Sequence, residues 1–259
     1  MISFFSKNKM FCVAIFIEPT HISQCLSIVE ESLQNGSYFI QLGSEKGDHL
    51  KIYYSHLSIQ EIKKIKEKII QIYALKDQEI YEETGKELLF SSYKNGTMLT
   101  LNHIDSTKDF YFKNVKEGEI LKTFLMASGY LFLQSLKAHV YGFTEKKRVN
   151  FSLFLLLLAS SEFTKSSKNV NAFLKRNYQE VKIPDGTIAQ LNTILFETKE
   201  SEVGSWENEF RMESEKIIDQ LGILYYIKVL AIILDLKNGE KQYLKSVFSQ
   251  FLKSIHIKV

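Results

Sequence analysis

Ser37-Tyr38-Phe39-Ile40-Gln41-Leu42, Gly43-Ser44-Glu45-Lys46-Gly47-Asp48 and His49-Leu50-Lys51-Ile52-Tyr53-Tyr54 form the stretch on which the fold turns. Two aromatic and β-branched runs of strand length flank a polar loop with a glycine at each side, which predicts a β-hairpin. Upstream, Met10 to Ile17 is a continuous apolar run of strand length, ended by Pro19. Between the two, Thr20 or Ser23 is placed to cap a helix that runs to Gln34 and stops at Asn35-Gly36. Downstream, Ser58 precedes a run with isoleucines at 59, 62, 65, 69 and 70, an apolar stripe at helical spacing. Further short strands are expected at Glu87–Tyr93, Thr97–Ile104 and Phe110–Phe112, with Asn95-Gly96 as a turn.

From about Lys116 the pattern becomes helical. Helices are expected near 117–139, 147–162, 167–177, 186–198, 206–220, 223–236 and 240–254. The predicted fold class is α+β: N-terminal antiparallel strands with two helices, followed by a mostly helical C-terminal half. No composition break forces two domains, so residues 1–259 are read as a single domain, strand-rich over 1–115 and helical over 116–259.

Composition narrows the function classes. The chain has 259 residues, 45% of them hydrophobic and 13% aromatic, enough for a substantial core and unlike a disordered chain. Net charge is +3, with the two signs interleaved, so nucleic acid is not an expected partner. The cluster Lys146-Lys147-Arg148 reads as a solvated helix start. Cys12 and Cys25 lack any CxxC spacing and read as buried free thiols in a reducing compartment. Met10 to Ile17 is short for a secretory segment and no small-residue cleavage site follows it. The longest apolar run, Phe151 to Ala159, is about half of what a membrane span needs. A soluble, cytoplasmic protein with no membrane partner is therefore expected.

No phosphate-cradling glycine loop, nucleophile elbow or histidine–carboxylate metal spacing occurs. His103 and Asp105 stand close together without further ligands, so neither a metal nor another cofactor is expected. Trp206 opens a predicted helix and reads as a core anchor, and the stripe Leu221, Leu224, Tyr225, Lys228, Val229, Ile232 reads as core.

The hairpin resembles one in the C-terminal, thiopeptide-type bacteriocin biosynthesis domains of lanthipeptide dehydratases. There the two strands read W-F-F-I-R-Y and H-L-R-L-R around a loop rich in aspartate and glycine. The order strand, helix, hairpin, helix from Met10 to Tyr73 agrees as well. Met126-Ala127-Ser128-Gly129-Tyr130-Leu131-Phe132-Leu133-Gln134-Ser135 is similar to the family's helix ending in F-x-A-D-S. Ser254-Ile255-His256-Ile257 is similar to its closing S-[LI]-I-H-M, with the serine off by one position. The chain is thus identified as a divergent, standalone relative.

The resemblance implies work on a ribosomally made precursor peptide, leader and core, beside a glutamylating dehydratase subunit. A homodimer stays open. In the full dehydratases the domain eliminates glutamate from glutamylated Ser or Thr: an α-proton is abstracted, the glutamyl carboxylate leaves, and a dehydroamino acid forms. That chemistry leans on arginines, whose guanidinium fork a lysine does not replace. This chain has three arginines, Arg148, Arg176 and Arg211, none before residue 148. Gln41, Lys51 and Tyr53 occupy the hairpin positions, and the family's Y-E-x-E-x-x-R-Y-G-G segment has no counterpart near Tyr111 to Gly118. Two branches fit such a chain. One is elimination's relative, a formal [4+2] cyclisation between two dehydroalanines; the alternative is a non-catalytic partner that binds a leader peptide or a split dehydratase.

The resemblance implies Tyr53 and His256 as catalytic residues, and Gln41, His49, Lys51 and Tyr111 as substrate contacts around one peptide-sized cleft. Each also has a plainer reading. His49 would be an exposed hairpin histidine, Lys51 a solvated strand lysine, Tyr53 or Tyr54 core packing, and His256 a frayed terminal histidine. His21, His56 and His139 are isolated and read as structural or exposed.

Overall fold

A computed structural model describes residues 11–17, 21–33, 38–44, 47–54, 59–73, 96–101, 115–139, 145–178, 180–184, 186–199 and 206–256. The expected strands at Glu87–Tyr93 and Phe110–Phe112, and the candidates Tyr111, His103, Asp105 and His56, lie outside these residues. The chain divides into two compact units, Met1–Phe143 and Thr144–Val259.

In the first unit, β1 (Phe11–Phe16), β2 (Tyr38–Gly43), β3 (His49–Tyr54) and β4 (Met98–Leu101) form one sheet in the order β2-β3-β1-β4. Every neighbouring pair is antiparallel. The hairpin register sets Tyr38 opposite Tyr54, Ile40 opposite Ile52 and Gly43 opposite His49. Because side chains alternate along a strand, this register fixes two faces. Val13, Ile15, Ile40, Leu42, Leu50 and Ile52, all buried, share one of them with Tyr38 and Tyr54.

Helices cover that face. In α1 (Ile22–Ser32), Ile22, Cys25, Leu26 and Val29 repeat at helical spacing and are all buried. In α2 (Ile59–Tyr73), Ile65 and Ile69 are buried, and the helix packs against α1. The long helix α3 (Val115–His139) packs on both α1 and β2. Tyr38 lies in the field of Glu30 of α1 and Tyr130 of α3.

Gly129 permits the α3–β2 approach. A Cβ there would lie 2.0 Å from the Tyr38 carbonyl oxygen and 3.2 Å from the Phe39 Cα. Helix propensity alone says that Gly129→Ala stabilises by roughly 1 kcal/mol. A clash with backbone of that depth outweighs it, since overpacking costs about 1–3 kcal/mol even where side chains can yield. Gly129→Ala is therefore expected to lower the urea midpoint, by roughly 2 kcal/mol in stability. A raised midpoint would show that α3 does not lie against Tyr38.

The second unit is helical: α4 (Glu145–Ala159), α5 (Ser161–Lys165), α6 (Ser167–Asn177), α7 (Thr187–Lys199), α8 (Trp206–Leu221), α9 (Ile223–Ile233) and α10 (Asn238–His256). Leu155, Leu156, Leu157 and Leu158 are all fully buried, which explains why α4 shows no polar side along this run. It packs against α5, α7, α8, α9 and α10. Phe163, Phe173, Phe248 and Phe251 form a run of ring contacts, with centroids 6.2, 5.7 and 6.4 Å apart, joining α5, α6 and α10. Trp206 is half-buried, its ring 6.4 Å from that of Phe154.

The α+β order read from sequence is the observed one. The helix expected over 147–162 is instead broken at Ser160, whose hydroxyl and backbone N–H both turn back to the Leu157 carbonyl. The Lys146-Lys147-Arg148 reading needs correction at Arg148. This side chain is only 3% exposed and pairs with Asp235 at 3.2 Å, because α4 presents that turn to the α9–α10 connection. No described helix is long and apolar enough to cross a membrane.

Candidate functional site

The second face of the sheet carries four of the candidate residues. By register, Phe39, Gln41 and Gly43 of β2 face Tyr53, Lys51 and His49 of β3, and these in turn face Cys12, Ala14 and Phe16 of β1. Gln41, His49, Lys51 and Tyr53, singled out from the sequence, thus stand in one band across two strands. Ala14, Phe16 and Leu99 make a small buried apolar cluster beside it.

Within the band the Tyr53 hydroxyl donates to Gln41 Oε1 at 2.9 Å. The Tyr53 ring is stacked on Phe39, centroids 4.4 Å apart at 13°, and is 4% exposed. Gln41 and Lys51, directly opposite one another, are half-buried. His49 is not an exposed hairpin residue: it is 2% exposed, with its ring 4.8 Å from that of Phe16. Its Nδ1–H donates to the Gly47 carbonyl at 2.8 Å. In the neutral ring this leaves the lone pair on Nε2. A Cβ at Gly43 would come within 2.2 Å of that atom, so glycine at Gly43 makes room for the imidazole.

Sequence reasoning missed Cys12 as a neighbour of this band. It lies within hydrogen-bonding reach of Tyr53 and in the field of Lys51. Burial pushes its thiol up to about 12, against the opposing pull of Lys51 and Tyr53, so the sulfur stays protonated and is no nucleophile. Burial likewise raises Cys25, Tyr38 and Tyr54 to about 12, with Glu30 and Tyr130 adding to Tyr38 and Cys12 adding to Tyr54.

These four shifts predict an alkaline limit for the first unit. Their ordinary values are 9.0 for the thiols and 10.0 for the phenols. Each folded value is raised, so the unfolded chain ionises first. The stabilisation is complete below about pH 9 and falls as pH rises towards about 12. Denaturant midpoints should hold to about pH 9 and drop steadily by about pH 11. An unchanged midpoint over that range would contradict the burial of these groups.

His256 belongs to the second unit, at the end of α10. It is half-buried, and its Nε2–H donates to the Thr164 carbonyl at 3.0 Å, so it is anchored and not frayed. The neutral ring then carries its basic lone pair on Nδ1.

Fold and band together define an α+β protein whose antiparallel sheet displays an amide, an ammonium, a phenol and an imidazole in one row. No family model matches the chain, and no curated protein matches it. Among solved structures it is similar to "Pyridine synthase, TbtD, from thiomuracin biosynthesis", at a TM-score of 0.51 and 10% identity, over 97% of this chain and 100% of that one. The two share a fold across essentially their whole lengths.

Proposed function

We propose that this chain takes part in the maturation of a ribosomally synthesised, post-translationally modified peptide, as one thiopeptide-type domain acting in the cytoplasm on a dehydrated precursor. The observation that carries this reading is the shared row of Gln41, Lys51, Tyr53 and His49 on the hairpin. The full-length fold likeness to a protein titled a pyridine synthase supports it.

The reaction we favour is a formal [4+2] cyclisation between two dehydroalanines. One residue, as its iminol tautomer, supplies a four-atom azadiene and the other a two-carbon alkene; two π bonds are consumed as two σ bonds close the ring, the remaining π bond shifts within it, and no atom is lost in this step. Such a step asks for positioning and for polarisation of an amide more than for strong acid or base. An ammonium at Lys51 and an amide at Gln41 are suited to hold peptide carbonyls and N–H groups. Tyr53 would supply a proton transfer of the tautomerisation; His256 and Tyr111 enter this reading only as the resemblance implies them.

Glutamate elimination is the less favoured branch because it calls for a guanidinium that grips a carboxylate in two places. Arg148 is committed to Asp235, Arg211 bonds Asn208, and Arg176 lies on α6, so the hairpin itself carries no arginine.

A second reading has its own observation. The Tyr53 hydroxyl is tied to Gln41 and the ring is nearly inaccessible, as in a residue that shapes a binding surface. The chain would then hold a leader peptide or a glutamylating dehydratase subunit without catalysing a step. Incubation with a dehydrated precursor separates the two readings: cyclised product supports the enzyme. Unchanged precursor, together with loss of dehydratase activity when the chain is removed, supports the partner.

A further inference from the structure

Independently of the hairpin, the second unit contains an open groove of about 620 Å³, in the size range of ligand sites. Phe163 of α5, Phe173 of α6 and Ile218 of α8 line it, with Leu224 of α9, which is 39% exposed, at its side. Arg176, in the last turn of α6, lines the same groove.

The three arginines of the chain divide by use. Arg148 is held by Asp235 and Arg211 by Asn208, whereas Arg176 is exposed and has no ion pair or hydrogen bond among the described residues. Of the two carboxylates at the groove, Glu162 is paired with Lys165, and Asp219 is exposed. The lining therefore offers a guanidinium fork for a carboxylate, an acceptor for N–H donors, and aromatic and aliphatic surface between them.

We propose that this groove binds a peptide segment in which a large apolar side chain lies next to a carboxylate. The apolar side chain packs on Phe163, Phe173 and Ile218, the carboxylate pairs with Arg176, and a backbone N–H of the peptide donates to Asp219. Phe163, Phe173 and Ile218 suit an apolar side chain, and Arg176, without an ion pair among the described residues, suits a carboxylate beside it. Charge and shape together select the amphipathic acidic segment.

The test is fluorescence polarisation of the full chain with a short fluorescein-labelled peptide of alternating leucine and glutamate. The same peptide with lysine or glutamine in place of glutamate provides the comparison. The glutamate peptide should bind saturably and best. Arg176→Glu should weaken it by about tenfold or more and shift preference to the lysine peptide. Leu224→Lys, which interrupts the apolar wall, should weaken all three peptides. Lys175→Glu makes the same charge change on α6 away from the groove, and should leave affinity within about twofold. Both lining positions changed are exposed, so the fold is retained. Absence of saturable binding, or equal losses from Arg176→Glu and Lys175→Glu, would overturn the proposal.

Discussion

A Tyr53→Phe chain is expected to form cyclised product from a dehydrated precursor at least about 100-fold more slowly, the loss typical of removing a positioned acid or base. The same change should cost only about 1 kcal/mol in stability. The small structural cost follows from what remains: the ring keeps its stacking on Phe39, while the hydrogen bond to Gln41 Oε1 and the contact with the Cys12 thiol are lost. Gln41→Leu breaks the same hydrogen bond from the other end while keeping the phenol. It should therefore match Tyr53→Phe in stability and retain more activity. Measured rates and urea midpoints for the two variants separate chemistry from architecture. If Tyr53→Phe stays within about threefold of the parent rate, the hydroxyl is structural and has no part in proton transfer.

Asp235→Ala should destabilise the second unit severely, by roughly 4–7 kcal/mol. Two causes add. Asp235 holds a left-handed backbone, φ 53°, where an alanine is strained by roughly 1–2 kcal/mol. Its carboxylate also faces the Arg148 guanidinium, whose Nη1 donates to Asp235 Oδ2 at 3.2 Å and to the Asp235 carbonyl at 3.3 Å. Arg148 is 3% exposed, and removing the partner of a buried charge costs about 3–5 kcal/mol. The reverse deletion is milder. In Arg148→Met the carboxylate left behind, about a third exposed, reaches water, so roughly 1–2 kcal/mol is expected. Asp235→Gly removes the strain and keeps the charge defect, and so falls between the two. Denaturant unfolding of the three variants checks the order. Equal losses would mean that Arg148 is not buried against this turn.

Much of the fold was legible because it is written locally. The hairpin follows from two strand-length runs around a glycine-flanked loop, and α1 and α2 follow from apolar residues at helical spacing. Even the shared face of Gln41, Lys51 and Tyr53 is implicit in the hairpin, because Lys51 and Tyr53 have the same parity and the loop sets the pairing. What stayed hidden depends on contacts distant in sequence. Cys12 joins the band only because β1 pairs with β3 across the intervening α1 and β2. Gly129 reads as a poor helix residue until α3 is laid on the Tyr38 carbonyl. Arg148 sits in a basic cluster that looks solvated, and only the α9–α10 turn meeting α4 shows it to be buried. The α5–α9 groove likewise has no local signature, since its lining comes from four helices.

The most direct measurement is the intact mass and ring content of a dehydrated precursor peptide after incubation with the purified full chain. The matched glutamylated precursor is run in parallel. A new nitrogen heterocycle in the first, and no release of glutamic acid from the second, is the predicted pair of results. Glutamic acid released from the second peptide, or a dehydrated peptide that neither binds nor changes, would contradict the assignment of the Gln41–Lys51–Tyr53 face to peptide cyclisation.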